Sequence, residues 1–276
     1  MEWLLEAKKR YGISILNYSV TSNNIYLIVR DHKGEEAIAR SVPLIAGRTG
    51  QEFNRRKKRK GAFWEDRYHA TAVEGDSHLV RCMVYVELNM VRAGVVKHPS
   101  EWAFCGYNEI QNPPKRYCLI DIEELKGLIN VRDTGELKEA YRGWVEEALE
   151  GSGHERRPEW TESIAVGSES FLRAIKERLG IRAKGRKVVG GESRFELREV
   201  SAPYVDVFGV GNVDLSEKTR SFGGNHSKNQ HLSLVRPQQT PHIEILHKGI
   251  KNSPMHPPIK PRITDSMRNA ARMFLR

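Results

Sequence analysis

Two short runs rich in β-branched and aromatic residues, Ile13 to Val20 and Asn24 to Arg30, stand only Thr21-Ser22-Asn23 apart. Such a spacing predicts an antiparallel hairpin, because so short a connection can only turn the chain straight back on itself. Helical patterns bracket it. Trp3 to Tyr11 sets Leu4, Leu5 and Ala7 on one side, carries Lys8, Lys9 and Arg10 in its last turn, and stops at Gly12. Glu35 to Asn54 spaces Ile38, Val42, Ile45, Ala46 and Phe53 as a helix does. Pro43 lies inside that run and predicts a kink, at about 3 kcal/mol if the helix is otherwise regular. Phe63 to Val73 reads as a further strand. Asp76 to Ala93 is the clearest amphipathic helix, with a stripe of Leu79, Met83, Val84, Leu88 and Val91, a cap at Asp76 or Ser77, and a stop at Gly94. An antiparallel sheet with helices packed on it is the α+β class.

Beyond Ala93 the pattern changes. Pro99 to Pro114 is loop-like, Asp121–Asn130, Glu136–Leu149 and Ser168–Leu179 read as helices, and Arg194–Val200 reads as a short strand. This divides the chain into a first unit at 1–110, a small helical extension at 111–200 and a tail at 201–276. The tail holds 11 Lys+Arg against 5 Asp+Glu, with 7 prolines and 5 histidines, and periodicity returns only in a short helix from Asp265 to Leu275. Little apolar area is available there to offset the entropy of ordering, so the tail reads as mostly disordered.

The whole chain of 276 residues carries a formal net charge of +10. No run approaches the ~18 apolar residues of a membrane span, and the first residues lack the pattern of a secretory signal. Three widely spaced cysteines, Cys82, Cys105 and Cys118, support neither a disulfide framework nor a structural zinc site and fit a reducing cytoplasm. No P-loop, HExxH helix or G-x-S-x-G elbow is present. The strongest charge cluster is Arg55-Arg56-Lys57-Lys58-Arg59-Lys60, followed by the aromatics Phe63, Trp64 and Tyr68 and by Arg67. A run of this kind is either a solvated surface or a grip for a polyanion, and the aromatics favour the polyanion.

One helix flank gathers the residues with most chemical content. Arg81, Tyr85, Asn89 and Arg92 are spaced i, i+4, i+8 and i+11 and so share a side. Two readings are open. The tyrosine can be a core-edge phenol capped by polar neighbours. It can also be a nucleophile facing a phosphodiester, with the arginines holding the phosphate; its ordinary pKa of about 10 then demands activation.

Three blocks occur in order: Tyr18-Ser19-Val20-Thr21-Ser22-Asn23-Asn24-Ile25-Tyr26-Leu27-Ile28-Val29, then Gly61-Ala62-Phe63-Trp64-Glu65-Asp66-Arg67-Tyr68, then Tyr85-Val86-Glu87-Leu88-Asn89-Met90-Val91-Arg92-Ala93-Gly94. Together they resemble the HUH single-tyrosine transposases, in particular the REP-associated branch of the insertion-sequence type. The resemblance covers roughly residues 1–110. It implies a ferredoxin-like sheet with packed helices and single-stranded or hairpin DNA as partner. It also implies a Mg²⁺ or Mn²⁺ ion held by two histidines on a strand and one polar residue on the tyrosine helix. Tyr85 stands at the place of the nucleophile that forms a 5′-phosphotyrosine, and Asn89 at the place of the helix-borne ligand.

The chain departs from that pattern. Asn24-Ile25-Tyr26 stands where the family has His-hydrophobic-His, so two neutral oxygens replace two imidazoles and metal affinity should fall steeply. The resemblance also implies a strand and part of a helix before the position of Met1, whose loss would leave the sheet with a gap or an open edge. The expectation is a transposase-like protein with impaired nicking. The alternative is a non-catalytic nucleic-acid-binding protein of the same ancestry.

Overall fold

A computed structural model describes residues 1–30, 36–65, 67–191, 194–199 and 243–249. The hairpin forms as read, from β1 (Ser14–Val20) and β2 (Asn24–Arg30). Its turn has no glycine and is held instead by Thr21, whose hydroxyl accepts from Asn24 N at 2.9 Å. Before it lies α1 (Glu2–Tyr11), closed by Gly12 at a φ of 67°. After it, α2 (Ala37–Arg56) runs as one 20-residue helix with Pro43 inside. Pro43 is exposed, so water can satisfy the carbonyl that its missing N–H leaves open. The third strand, β3 (His69–Val73), leads into α3 (Asp76–Glu87) and α4 (Asn89–Arg92), in place of the single helix read from the sequence. Leu88 N still bonds Val84 O, and Arg92 N bonds Leu88 O, so the pair keeps one direction.

The extension supplies α5 (Gly106–Gln111), α6 (Ile122–Ile129), α7 (Thr134–Glu150), α8 (Glu159–Glu162) and α9 (Glu169–Leu179). It is not only helical, because β4 (Ala165–Gly167), β5 (Arg186–Gly191) and β6 (Arg194–Glu199) lie there too. These strands extend the sheet of the first unit outward from β3, in the order β3-β4-β6-β5. The helical extension and the first unit therefore share one sheet.

The tail contributes one described strand. Ile243–Gly249, inside the stretch read as mostly disordered, is a strand, β7, lying between β2 and β3. The remainder of 201–276, including the helix expected at 265–275, falls outside the described residues. β7 pairs antiparallel with β2 over seven residues and with β3 over five. Consequently β2 and β3, joined by α2, are parallel strands with a one-strand gap that β7 fills. Chain order α1-β1-β2-α2-β3 matches the last five elements of a β-α-β-β-α-β unit. A strand from some 170 residues beyond β3 completes it. The full sheet reads β1-β2-β7-β3-β4-β6-β5, and only the β3–β4 pair is parallel. The fold is α+β with a mostly antiparallel sheet, as the sequence predicts.

Alternation assigns the two faces of the sheet. Ile25, Leu27 and Leu246 point to the side covered by α2, where they meet Val42 and Ile45. Tyr26 and Ile28 point the other way, with His247 and Ile245 opposite them on β7, and His69 and Thr71 opposite those on β3. This second face is covered by α3, whose Met83 carbonyl accepts from Asn17 Nδ2 of β1. The outer edge of β1 is covered rather than open: Ser19 bridges to Cys105 and Ile15 to Ile120.

Candidate nucleic-acid interface

Tyr85 sits on the flank of α3 that looks toward the second face of the sheet. Its residue surface is 7% exposed, and the guanidinium of Arg92 lies 4.0 Å from its ring centroid. Arg92 is fixed there by a hydrogen bond from Nη2 to Tyr85 O at 2.7 Å. Burial pushes the Tyr85 phenol above its ordinary value, and the Arg92 cation opposes that shift only in part. Tyr26 on β2 adds a small further upward push. Tyr85 is not sealed in. It lines a cleft of about 700 Å³ together with Arg81, Arg92, Arg157 and Trp144 of α7.

Position 24 and position 26 share the face below α3, but their oxygens are poor metal ligands. Asn24 Oδ1 lies 3.0 Å from His247 Nε2, and the Tyr26 ring stacks on the His247 imidazole with centroids 4.6 Å apart. Asn89 is half-buried one turn after Tyr85, and among the described residues no hydrogen bond joins its side chain to Asn24 or Tyr26. Two neutral amides and a phenol do not suit a hard divalent cation, which seeks several oxygens, preferably charged. Among the described residues no group of three or more His, Cys, Asp or Glu side chains is placed to hold a metal. The implied Mg²⁺ or Mn²⁺ therefore does not fit these three residues.

The sequence reading missed His247 altogether, because its strand lies in a stretch without strand-like surroundings. His69 stands directly opposite it on β3. The His69 Nε2 atom donates to Ser163 O at 3.0 Å. Burial depresses His247 to about 4, with His69 and Arg156 adding to the effect. The imidazole is neutral near pH 7.

The basic run lies elsewhere. It begins in the last turn of α2, in the helix layer on the opposite side of the sheet from Tyr85. Arg55, Arg56, Lys57, Lys58 and Lys60 are exposed, with Arg56 paired to Glu52. Arg59 is half-buried, with its guanidinium 5.9 Å from the centroid of the Phe53 ring. Trp64 is half-buried, its indole N–H donating to Ala46 O at 2.8 Å and its ring edge-on to Phe63. That packing ties it to α2. Arg67 and Arg81 are exposed. The sequence grouped these residues by charge; the fold separates them into a cleft set around Tyr85 and a distant set at the end of α2.

No helix among the described residues is long and apolar enough to cross a membrane. Comparison with curated proteins gave no match, and neither did comparison with solved structures. The family model described as "Transposase IS200 like" matches residues 1–89, a span that includes the hairpin, α2, β3 and Tyr85. Over residues 1–89, about a third of its 276 residues, the chain is similar to the IS200-like transposases.

Proposed function

We propose that this transposition-related protein binds a DNA strand in the cleft beside α3, with Tyr85 presented to a backbone phosphate. The observation that supports this reading is the grouping of Tyr85 with Arg81, Arg92 and Arg157 in one cleft that also exposes Trp144. Arginines hold phosphate oxygens by paired, charge-assisted hydrogen bonds, and an indole offers a surface on which an unpaired base stacks. The partner is single-stranded or hairpin DNA.

If the phenol reacts, Tyr85 Oη forms a bond to phosphorus and the 3′ oxygen of the neighbouring sugar leaves and takes up a proton. The product is a 5′-phosphotyrosine and a free 3′-OH, and the phenol proton passes to solvent or a base. Two features weaken this step here. Burial holds the phenol in its protonated, weakly nucleophilic form, and positions 24 and 26 offer no imidazole. Nicking is accordingly impaired, and binding is the stronger activity.

The test is a gel assay of labelled hairpin DNA beside an anisotropy measurement of the same DNA. The reading expects salt-sensitive binding, weakened by Arg81→Gln, with slow or absent cleavage. Efficient cleavage by the unaltered chain, abolished by Tyr85→Phe, would refute the impairment. Absence of binding at low salt would refute the cleft assignment. A second reading, a non-catalytic DNA-binding protein, is favoured by the same two weakening features and expects no cleavage under any condition.

A further inference from the structure

The cations at the end of α2 exceed what a helix terminus accounts for. A helix C-terminus carries about half a negative charge, which favours a cation or two in its last turn. Arg55 and Arg56 fill that place. Lys57, Lys58 and Lys60 lie beyond the helix, and all five side chains are exposed. Among the described residues the run makes one ion pair, Arg56 to Glu52. So dense a set of like charges repels itself, and a bound polyanion relieves that repulsion.

The backbone that carries these cations is tied down. Lys57 N bonds Phe53 O at 2.9 Å and Arg59 N bonds Asn54 O at 3.0 Å, while Lys58 turns the chain at a φ of 49°. Asn54 Nδ2 donates to Gly61 O at 2.9 Å and closes the turn. The cations therefore fan around the end of α2 from fixed backbone positions. Arg48 and Arg55, two turns apart on one flank of α2 and both exposed, carry the charge back along the helix for about 10 Å. That length spans about three base-pair steps of a double helix.

The aromatic residues beside the run decide its partner. Single strands are held largely by rings on which unpaired bases stack. Here Phe63 is buried against Phe53, while Trp64 and Tyr68 are half-buried. The Trp64 indole is further tied to Ala46 O. Among the described residues no ring beside the run is exposed as a stacking platform. What remains is phosphate contact, the kind that positions a protein on a duplex whose bases are stacked inside. We propose that the end of α2 holds the backbone of double-helical DNA, at a surface separate from the Tyr85 cleft. The proposal goes beyond the cleft reading and does not depend on it, because the sheet stands between the two surfaces.

The experiment follows anisotropy of the full chain with a blunt 16-base-pair duplex and with a 16-nucleotide single strand, over a salt series. One variant carries Lys57→Gln, Lys58→Gln and Lys60→Gln together, and a second replaces the same three lysines by arginine. All three side chains are exposed, so the fold is kept, and the arginine variant separates charge from shape. The glutamine variant should lower the slope of log binding constant against log salt on the duplex by about 3 and weaken duplex binding by more than about tenfold at low salt. It should weaken single-strand binding by less than about threefold, and the arginine variant should bind both probes as the unaltered chain does. Duplex binding that is absent, or indifferent to the glutamine variant, would make the run a solvated surface and overturn the proposal. An equal loss on both probes would overturn the duplex assignment. Arg81→Gln should weaken the single strand and spare the duplex; its failure to touch either probe would remove the cleft reading and leave this proposal standing.

Discussion

Glu87 should make the stability of this protein fall as pH rises from about 4.5 to about 7. It lies at the end of α3, fully buried, and its Oε1 accepts from the Tyr141 hydroxyl of α7 at 2.8 Å. That hydroxyl in turn accepts from Asn17 Nδ2 of β1 at 2.9 Å, while Glu87 Oε2 is buried without a hydrogen-bond partner. Burial raises the carboxyl from 4.5 to about 7. A folded-state value above the unfolded one means the folded protein holds the proton more tightly. Its contribution is complete below 4.5 and is lost as pH climbs through about 7. At 1.36 kcal/mol per unit the loss is about 3 kcal/mol, a large share of a domain's net stability. Glu87→Gln keeps an acceptor for Tyr141 and removes the titration. Urea unfolding of both proteins at pH 5, 6, 7 and 8 isolates the effect, because every other group titrates alike in the two. The variant should gain about 3 kcal/mol on the wild type between pH 5 and pH 8. Parallel stability profiles would show that Glu87 is charged in the fold, and the reasoning would fail.

Other substitutions test other parts of the structure. Gly106→Ala should destabilise by about 2 kcal/mol in urea unfolding, because a β-carbon there meets the buried Asn17 amide and comes within 3.0 Å of Ile120 Cδ1. Ile245→Ala should cost about 3 kcal/mol, since Ile245 is 1% exposed in the middle strand; a loss below ~0.5 kcal/mol would mean that β7 does not occupy the gap. Arg81→Gln should lower the slope of log binding constant against log salt by about one phosphate contact, measured by anisotropy. Tyr85→Phe should leave DNA affinity within about twofold while abolishing any covalent protein–DNA product on a denaturing gel.

The hairpin, α2, the tyrosine helix and the three extension helices were all legible locally, because each carries its own periodicity and stop signals within a few turns. The spacing of Tyr85 and Asn89 one turn apart was legible for the same reason, although they fall on α3 and α4. Two readings went further than local pattern can reach. How the basic run and Trp64 lie relative to the tyrosine was one: the sheet stands between them, and Trp64 packs its ring on Phe63 and its N–H on Ala46. The short run Ile243–Gly249 went unnoticed because its neighbours are proline- and histidine-rich, and a seven-residue strand gains its stability from partners rather than from itself.

By itself the sequence determined the hairpin and most of the longer helices, and it spaced a tyrosine, an amide and two arginines along one flank of the α3–α4 segment. Only tertiary structure decided what that flank faces. A one-strand gap between β2 and β3 leaves two rows of backbone donors and acceptors unsatisfied, and any compatible strand that reaches it is strongly favoured. The strand that fills it comes from the far end of the chain and brings His247 with it, opposite Tyr26 and His69. Hydrogen-bond pairing across such a distance leaves no trace in local periodicity, so the imidazoles of this face could be found only by folding the chain.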